Sequence, residues 1–567
     1  AIDSASKLSS LKFASDLALA FCIGADEHGR HAKWLALSHK PETIYLLNIK
    51  KLGKKHLLAK LSEIKSLIGY NVKASLKLWL ELGASDLPAV GFDVLIGSFT
   101  LDSSRREQTL TELALADLSF QDQVLEKLND EETIKRAPEI MAVIRGLHEN
   151  QAGEIQKTPK FSELVKTIEW PVIPVLARME FAGIGLDVEY LNKFSGEIDD
   201  AISDLEQQIY GHADQEFNIS SPAQLADILF SKLNLPKFGI KKGKSGYSTA
   251  ARELDKLRGQ HPIIDLITHY REVTKLKNTY VDTLPKLVDE NSRLHTTFKL
   301  TIAQTGRLSS TDPNLQNIPV RTDLGRRIRT AFVAGKGKVL VSADYSQFEL
   351  RLAAAMAGDK QMLKDFNEGA DIHSTTAAQI YGRELEDVTK QMRYAAKAIN
   401  FGIVYGMSPH GLSVATGMTQ SQAADFIEKY KDLRKPLFEY IEKTKDFARR
   451  NGYVETIFGR RRPIPDIHSS NFVVRSAAER AAVNMPIQGT EADLMKLAMI
   501  NVDKKLKDKF PEAKMLLQIH DSILVECASE NALAIGQLLK STMEAVDEKL
   551  PVKLIVDLTT GQNWGEL

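Results

Sequence analysis

Residues 515–526 read MLLQIHDSILVE: an apolar run reaches Ile519, breaks at His520, Asp521 and Ser522, and resumes at Ile523. The alternation predicts two short strands, with the polar island as the turn between them. An acid set between apolar runs is costly to bury unless something pairs with it. A second apolar run, KVLVSADYS at 338–346, also ends in an acid, Asp344. If these strands are neighbours in one sheet, the two carboxylates meet.

Elsewhere the pattern divides the chain. Residues 1–155 alternate β-like runs, LALAFCIGA and AKWLALS, with helical stretches such as 57–67 and 107–130, which predicts a mixed α/β unit. The polar segment 147–160, LHENQAGEIQKTPK, reads as a linker. From about 165 the periodicity is helical, with long amphipathic helices predicted at 195–213 and 262–288. Between these two lies the Gly- and Lys-rich tip KFGIKKGKSGYST, 237–249, which suits either a phosphate-backbone clamp or a soluble loop. Residues 370–450 and 476–505 are again helical, and VKLIVDLTTG at 552–561 is a last strand.

Composition adds bounds. The chain of 567 residues has room for two to four domains. No apolar run is long enough to predict a membrane span. Two cysteines, Cys22 and Cys527, exclude a disulfide framework and a Cys-based zinc site, and fit a reducing, intracellular setting. The chain opens at Ala1 without Met, as a trimmed fragment would. Formal net charge is zero, yet basic residues cluster at 50–56, 241–244, 326–329 and 460–462. Charge distribution, rather than its sum, bears on nucleic-acid binding.

Two carboxylates brought together repel unless a cation lies between them. Carboxylate oxygens favour Mg²⁺, which is commonly held by one or two acids plus substrate phosphates, and a two-metal site supports in-line phosphoryl transfer. A phosphate-handling helix is predicted at 390–407, KQMRYAAKAINFGIVYGM. Arg393, Lys397, Phe401 and Tyr405 recur every four residues and so share one stripe. Two cations and two aromatic rings suit a nucleoside triphosphate.

The stretches DYSQFELR (344–351), RYAAKAINFGIVYG (393–406) and QIHDS (518–522) resemble the three polymerase motifs of family A DNA polymerases. TGRLSSTDPNLQNIP (305–319), DIH (371–373) and RAAVNMPIQGTEAD (480–493) agree with them in order. The resemblance runs from about 165 to the C-terminus and is to the large fragment of the bacterial members. It implies an α/β multi-domain fold: a right-hand polymerase of palm, fingers and thumb, preceded by an RNase H-like α/β domain of 3′–5′ exonuclease type. The implied boundaries are 1–155 for the exonuclease-like domain, 156–300 for linker and thumb, 301–365 and 475–567 for the palm, and 366–474 for the fingers.

By the same resemblance, Asp344 and Asp521 are the catalytic acids and hold two Mg²⁺ ions, with Mn²⁺ as a substitute. The primer 3′-hydroxyl attacks the α-phosphate of a dNTP and pyrophosphate leaves. Arg393, Lys397 and His373 grip the triphosphate, and Phe401, Tyr405, Gln347 and Glu349 shape the insertion pocket, with Glu349 as the gate against a ribose 2′-hydroxyl. Arg307 and Gln488 probe the minor groove. Asn314, Gln316, Asn317, Arg480 and Asn484 contact primer–template, and Lys241, Lys242 and Lys244 clamp its backbone. The implied partners are primer–template DNA and dNTPs, with no membrane, for a monomer in a bacterial cytoplasm or an organelle.

Two departures stand out. Ser522 takes a position where the family commonly has Glu, and Phe348 one where Ile is usual. In the N-terminal third, Asp-x-Glu appears as Asp3-x-Ala5 and Asn-x-x-x-Asp as Asn71-x-x-x-Ser75. With those ligands gone, the domain is expected to lack proofreading, and no 5′-nuclease is expected either. The rival readings are a single-subunit RNA polymerase, opposed by Glu349; a 3′–5′ exonuclease, opposed by Ala5 and Ser75; and a DNA-binding scaffold, opposed by the intact acids and cations.

Overall fold

The computed structural model describes residues 1–567 apart from 14–16, 27, 121–123, 127, 244–245 and 321. Lys244 of the basic tip therefore lies outside the described residues. The chain forms two compact units. The first comprises Ala1–Ala182, Thr296–Gln316 and Val341–Thr559, the second Gly183–His295, Asn317–Leu340 and Thr560–Leu567.

Among the described residues, the first unit holds the two largest sheets. One has the strand order Thr43–Asn48, Trp34–Lys40, Leu17–Ile23, Ser66–Gly69, Ala89–Asp93. Its first three strands are antiparallel, and Leu17–Ile23, Ser66–Gly69 and Ala89–Asp93 run parallel. Asp3 stands beside an isolated bridge between Ile2 and Leu47, and Ala5 opens the short helix Ala5–Ser10. Three expectations change here. The stretch 57–67 divides into the helix Lys54–Leu61 and the strand Ser66–Gly69, and in 107–130 the helix is Leu110–Leu118. The segment read as a linker is helical, because Asp130–Gln156 runs through it. Its polar composition hid a buried i, i+4 stripe of Leu147, Gln151 and Ile155. Asn129 and Glu132 form a capping box at its start, with three acids in the first turn where the helix dipole favours them.

The second sheet has the order Lys514–Ile519, Ser522–Ala528, Lys338–Tyr345, Val556–Gly561. The 515–526 pattern is thus a hairpin, and its second strand neighbours Lys338–Tyr345, which carries Asp344 next to its last residue. The helix Phe472–Lys509 is longer at both ends than the predicted 476–505, and keeps Pro486 inside it. Ala482, Met485, Gly489, Ala492 and Met499 line its buried face. Between Lys338–Tyr345 and this helix run the helices Phe348–Ala357, Lys360–Asn367, Ile372–Tyr381, Lys390–Val404, Pro409–Thr416, Gln420–Leu433 and Lys435–Asn451.

In the second unit the amphipathic helix Val188–Ala213 buries Leu191, Phe194, Ile198, Leu205 and Ile209 and packs on Ile263–Leu276. The helix expected over 262–288 stops at Leu276, passes through a wider turn at Lys277–Val281, and ends in a single turn at Leu284–Lys286, where Pro285 lacks the amide to continue it. Among the described residues, no helix is long and apolar enough to cross a membrane.

Candidate active site

A two-residue turn, His520–Asp521, joins Ile519 to Ser522. His520 takes a left-handed backbone, φ 52°, and the Ser522 hydroxyl donates to the Ile519 carbonyl at 2.9 Å. The Tyr345 N–H donates to the Asp521 carbonyl at 3.1 Å, so the turn is pinned next to Asp344. The turn therefore carries Asp521 next to Asp344. Burial, then the negative charges of Asp521 and Asp557, push the Asp344 carboxyl up to about 6. Among the described residues no three His, Cys, Asp or Glu side chains make a preassembled metal-binding group. What the sheet end offers is a strained acid pair. A hard divalent cation would relieve its repulsion, and the substrate would supply further oxygens, which fits Mg²⁺ chemistry.

The predicted stripe sits on the Lys390–Val404 helix, with Tyr405 as its C-terminal cap residue rather than within it. Arg393, Lys397, Phe401 and Tyr405 are exposed, whereas Ala395, Ala396, Ile399 and Ile403 on the other side are buried. Arg393 Nε donates to Asp371 Oδ2 at 2.6 Å. Against the cost of burial, Arg393 and the Ser374 hydroxyl hold the Asp371 carboxyl down at about 2. His373 is buried, and its ring stands 5.6 Å from that of Phe401.

A polar chain links this stripe to the acids. The Tyr405 hydroxyl donates to Glu349, and Gln488 Nε2 donates to that hydroxyl at 3.0 Å. Arg307 donates to Glu349, and to both oxygens of Glu491 at 2.8 and 3.0 Å. Glu491 in turn lies against Asp521. Gln347 has a left-handed backbone, φ 53°, at the start of the Phe348–Ala357 helix, which places Glu349 in its first turn. Phe348 stacks on Tyr345, centroids 4.1 Å apart.

The other predicted residues divide. Gln316 donates to the Gln518 carbonyl at 3.2 Å, and Asn314 accepts from the Gln316 N–H at 3.1 Å, which holds this loop against the hairpin. Arg480 is exposed and donates to Ser476 at 2.7 Å. The side-chain amide oxygens of Asn484 and Gln347 are buried with no hydrogen-bond partner among the described residues. Asn317, Lys241 and Lys242 belong to the second unit, where both lysines are exposed and Lys242 Nζ sits 5.4 Å from the Tyr247 ring centre.

At the first sheet, Ser75 is buried beside Cys22, and Asn71 caps the Val72–Glu81 helix with φ 52°. The buried acid there, Asp93, accepts the backbone N–H groups of Asn71, Val72, Leu95 and Ile96. Burial still pushes it up to about 6.

Sequence reading missed Glu491, which lies within a quoted motif but looks like one more helical acid. It is buried, and burial and the charge of Asp521 raise its carboxyl well above the usual range despite Arg307. A raised carboxyl weakens the fold as pH climbs past its ordinary value of about 4.5. Glu491→Gln should therefore stabilise the chain at pH 8 by about 1–2 kcal/mol, with the gain vanishing near pH 4. Denaturant unfolding at the two pH values in EDTA checks this. A loss of stability at pH 8 would mean that the Arg307 pair dominates.

The profile of "DNA polymerase family A" matches residues 188–566. The DNA polymerase I of Thermus aquaticus, described as thermostable, is 46% identical over 434 residues, which cover 76% of this chain and 52% of that protein. That of Caldicellulosiruptor bescii is 44% identical over 479 residues, 84% of this chain and 55% of that protein. The chain thus spans about half the length of the curated relatives it matches. Among solved structures, the POL domain of Pol1 from M. smegmatis, in complex with DNA primer-template and dNTP, superposes with a TM-score of 0.87 at 34% identity, covering 99% of this chain and 98% of that one. The chain has the mixed α/β fold of that polymerase domain. With the family profile lying across both the paired acids and the cationic helix, the chain belongs to the family A DNA polymerases.

Proposed function

We propose that the chain is a template-directed DNA polymerase that extends a primer 3′ end with dNTPs and releases pyrophosphate. The observation that carries this reading is the polar chain from Tyr405 through Glu349, Arg307 and Glu491 to Asp521, which ties a cationic, aromatic helix to an acid pair. Asp344 and Asp521 would hold two divalent cations, Mg²⁺ or Mn²⁺, which when bound supply charge neutralisation at the reacting phosphate. Arg393 and Lys397 neutralise the triphosphate, and Phe401 offers a ring face to the nucleotide. Glu349, tethered from two sides, is held rigid enough to exclude a 2′-hydroxyl. Gln488 and Arg307 present donors suited to minor-groove acceptors, which are similar in all base pairs and so test shape rather than sequence. On this reading 301–365 and 475–567 act as palm, 366–474 as fingers and 156–300 as thumb.

The proposal extends to proofreading. Ala5 and Ser75 offer no carboxylate, and Asp93 is occupied by four backbone amides, so residues 1–155 serve as a structural domain. Primer extension on a labelled primer–template tests both halves. Elongation with dNTPs and Mg²⁺, and a primer of unchanged length without dNTPs, are the expected results. Shortening in the second lane would restore an exonuclease, and no elongation in the first would remove the polymerase.

A further inference from the structure

Asn400 lies on the buried side of the Lys390–Val404 helix, behind the exposed stripe. Its Nδ2 is 3.1 Å from His373 Nδ1 and 3.4 Å from Thr376 Oγ1. The Tyr430 hydroxyl donates to Asn400 Oδ1 at 2.9 Å, and Arg434 donates to Thr376 Oγ1 at 3.2 Å. Asn400, Tyr430, Thr376 and Arg434 are all inaccessible to solvent, so water cannot substitute for a lost partner. His373 Nε2 has no hydrogen-bond partner among the described residues.

The orientation of the Asn400 amide decides the state of the imidazole. A phenol donates a hydrogen bond better than it accepts one, so Tyr430 fixes Oδ1 on its own side. That leaves Nδ2–H aimed at His373 Nδ1, which must then be the bare, accepting nitrogen. We propose that Asn400, held by Tyr430, is a positioning residue that fixes His373 as the neutral Nε2–H tautomer, and that this N–H is the donor offered to the triphosphate of the incoming nucleotide. The second clause rests on the polymerase reading; the first stands on geometry alone. A triphosphate presents only acceptor oxygens, so the opposite tautomer would bring two acceptors face to face. Of the charged groups around His373, Asp371 favours the imidazolium, whereas Arg393 and Lys397 oppose it. Together with burial, which is the largest influence, they draw the ring down to about 4. Neutral His373 adds a directed hydrogen bond where two cations already supply charge.

The test is long-range ¹H–¹⁵N spectroscopy of the intact chain labelled at histidine, with the His373 signals identified from His373→Gln. The expected spectrum has an unprotonated Nδ1 and a protonated Nε2 that persist across neutral pH. Tyr430→Phe should mix the tautomers. Asn400→Asp, which can only accept at that position, should put a proton on Nδ1. In steady-state extension, Tyr430→Phe should raise KM for dNTP roughly tenfold at nearly unchanged kcat, the scale of one weakened bond to a charged group. A protonated Nδ1 in the parent, or an unmoved spectrum in Tyr430→Phe, overturns the proposal. The spectrum requires no catalysis, so a chain that fails to extend primers while keeping the Nε2–H tautomer would instead bring down the polymerase reading, and with it the triphosphate clause.

Discussion

Asp521→Asn is expected to lower primer extension by roughly three to four powers of ten while leaving the fold as stable as the parent. The loss corresponds to about 4–5 kcal/mol of barrier, the scale of removing a carboxylate that holds a catalytic cation. Stability should survive for three reasons. The Asp521 contact that pins the turn is its carbonyl, which accepts from the Tyr345 N–H and is kept by any residue. Asn is at ease in a tight turn. The removed charge was facing two other acids, Asp344 and Glu491, so its loss relieves repulsion. A destabilised variant would make lost activity uninformative, so extension and thermal melting belong in the same experiment. Unimpaired extension by a folded Asp521→Asn would return this acid to a purely structural turn role and undo the two-cation assignment.

The parts of this site visible in the sequence were those in which chemistry and periodicity coincide. Asp344 and Asp521 interrupt apolar strands, and an interruption is local information. Arg393, Lys397 and Phe401 repeat at helical spacing with apolar residues on the other side, so their exposure followed from period alone. Tyr405 kept the spacing but not the helix, which ends at Val404. Glu491 was invisible for the opposite reason: its partners Arg307 and Asp521 are distant in sequence, and an acid in a helical stretch ordinarily faces solvent. Asn400 gave no signal either, because a buried amide is recognised only by the groups around it. The polar composition of 147–160 masks a helix whose buried stripe of Leu147, Gln151 and Ile155 shows only in the i, i+4 spacing.

A second large effect is expected at a buried cluster of four charges. Glu169 is fully buried between Arg460, which donates to it, and Lys496, whose Nζ is 2.7 Å from its Oε1. Arg460 also donates to Asp493 at 2.6 and 2.8 Å, and Thr456 donates to that acid at 2.8 Å. Two cations and two acids thus balance without water. Removing one charge leaves Arg460 and Lys496 to share Asp493, so Glu169→Gln should cost about 3–5 kcal/mol. The pH dependence distinguishes this from simple misfit. Burial alone would raise the Glu169 carboxyl, but the two cations hold it down at about 2. A depressed carboxyl stabilises the fold above its ordinary value of about 4.5, and the contribution drains away as pH falls toward about 2. The gap between parent and Glu169→Gln in denaturant unfolding should therefore be full at pH 7 and shrink steadily below about 4.5. A gap that stays constant into acid would mean that shape, not charge, is what the substitution removed. Because Asp493 and Lys496 lie on the helix that carries Gln488 and Glu491, loosening this cluster should also slow primer extension in molecules that remain folded.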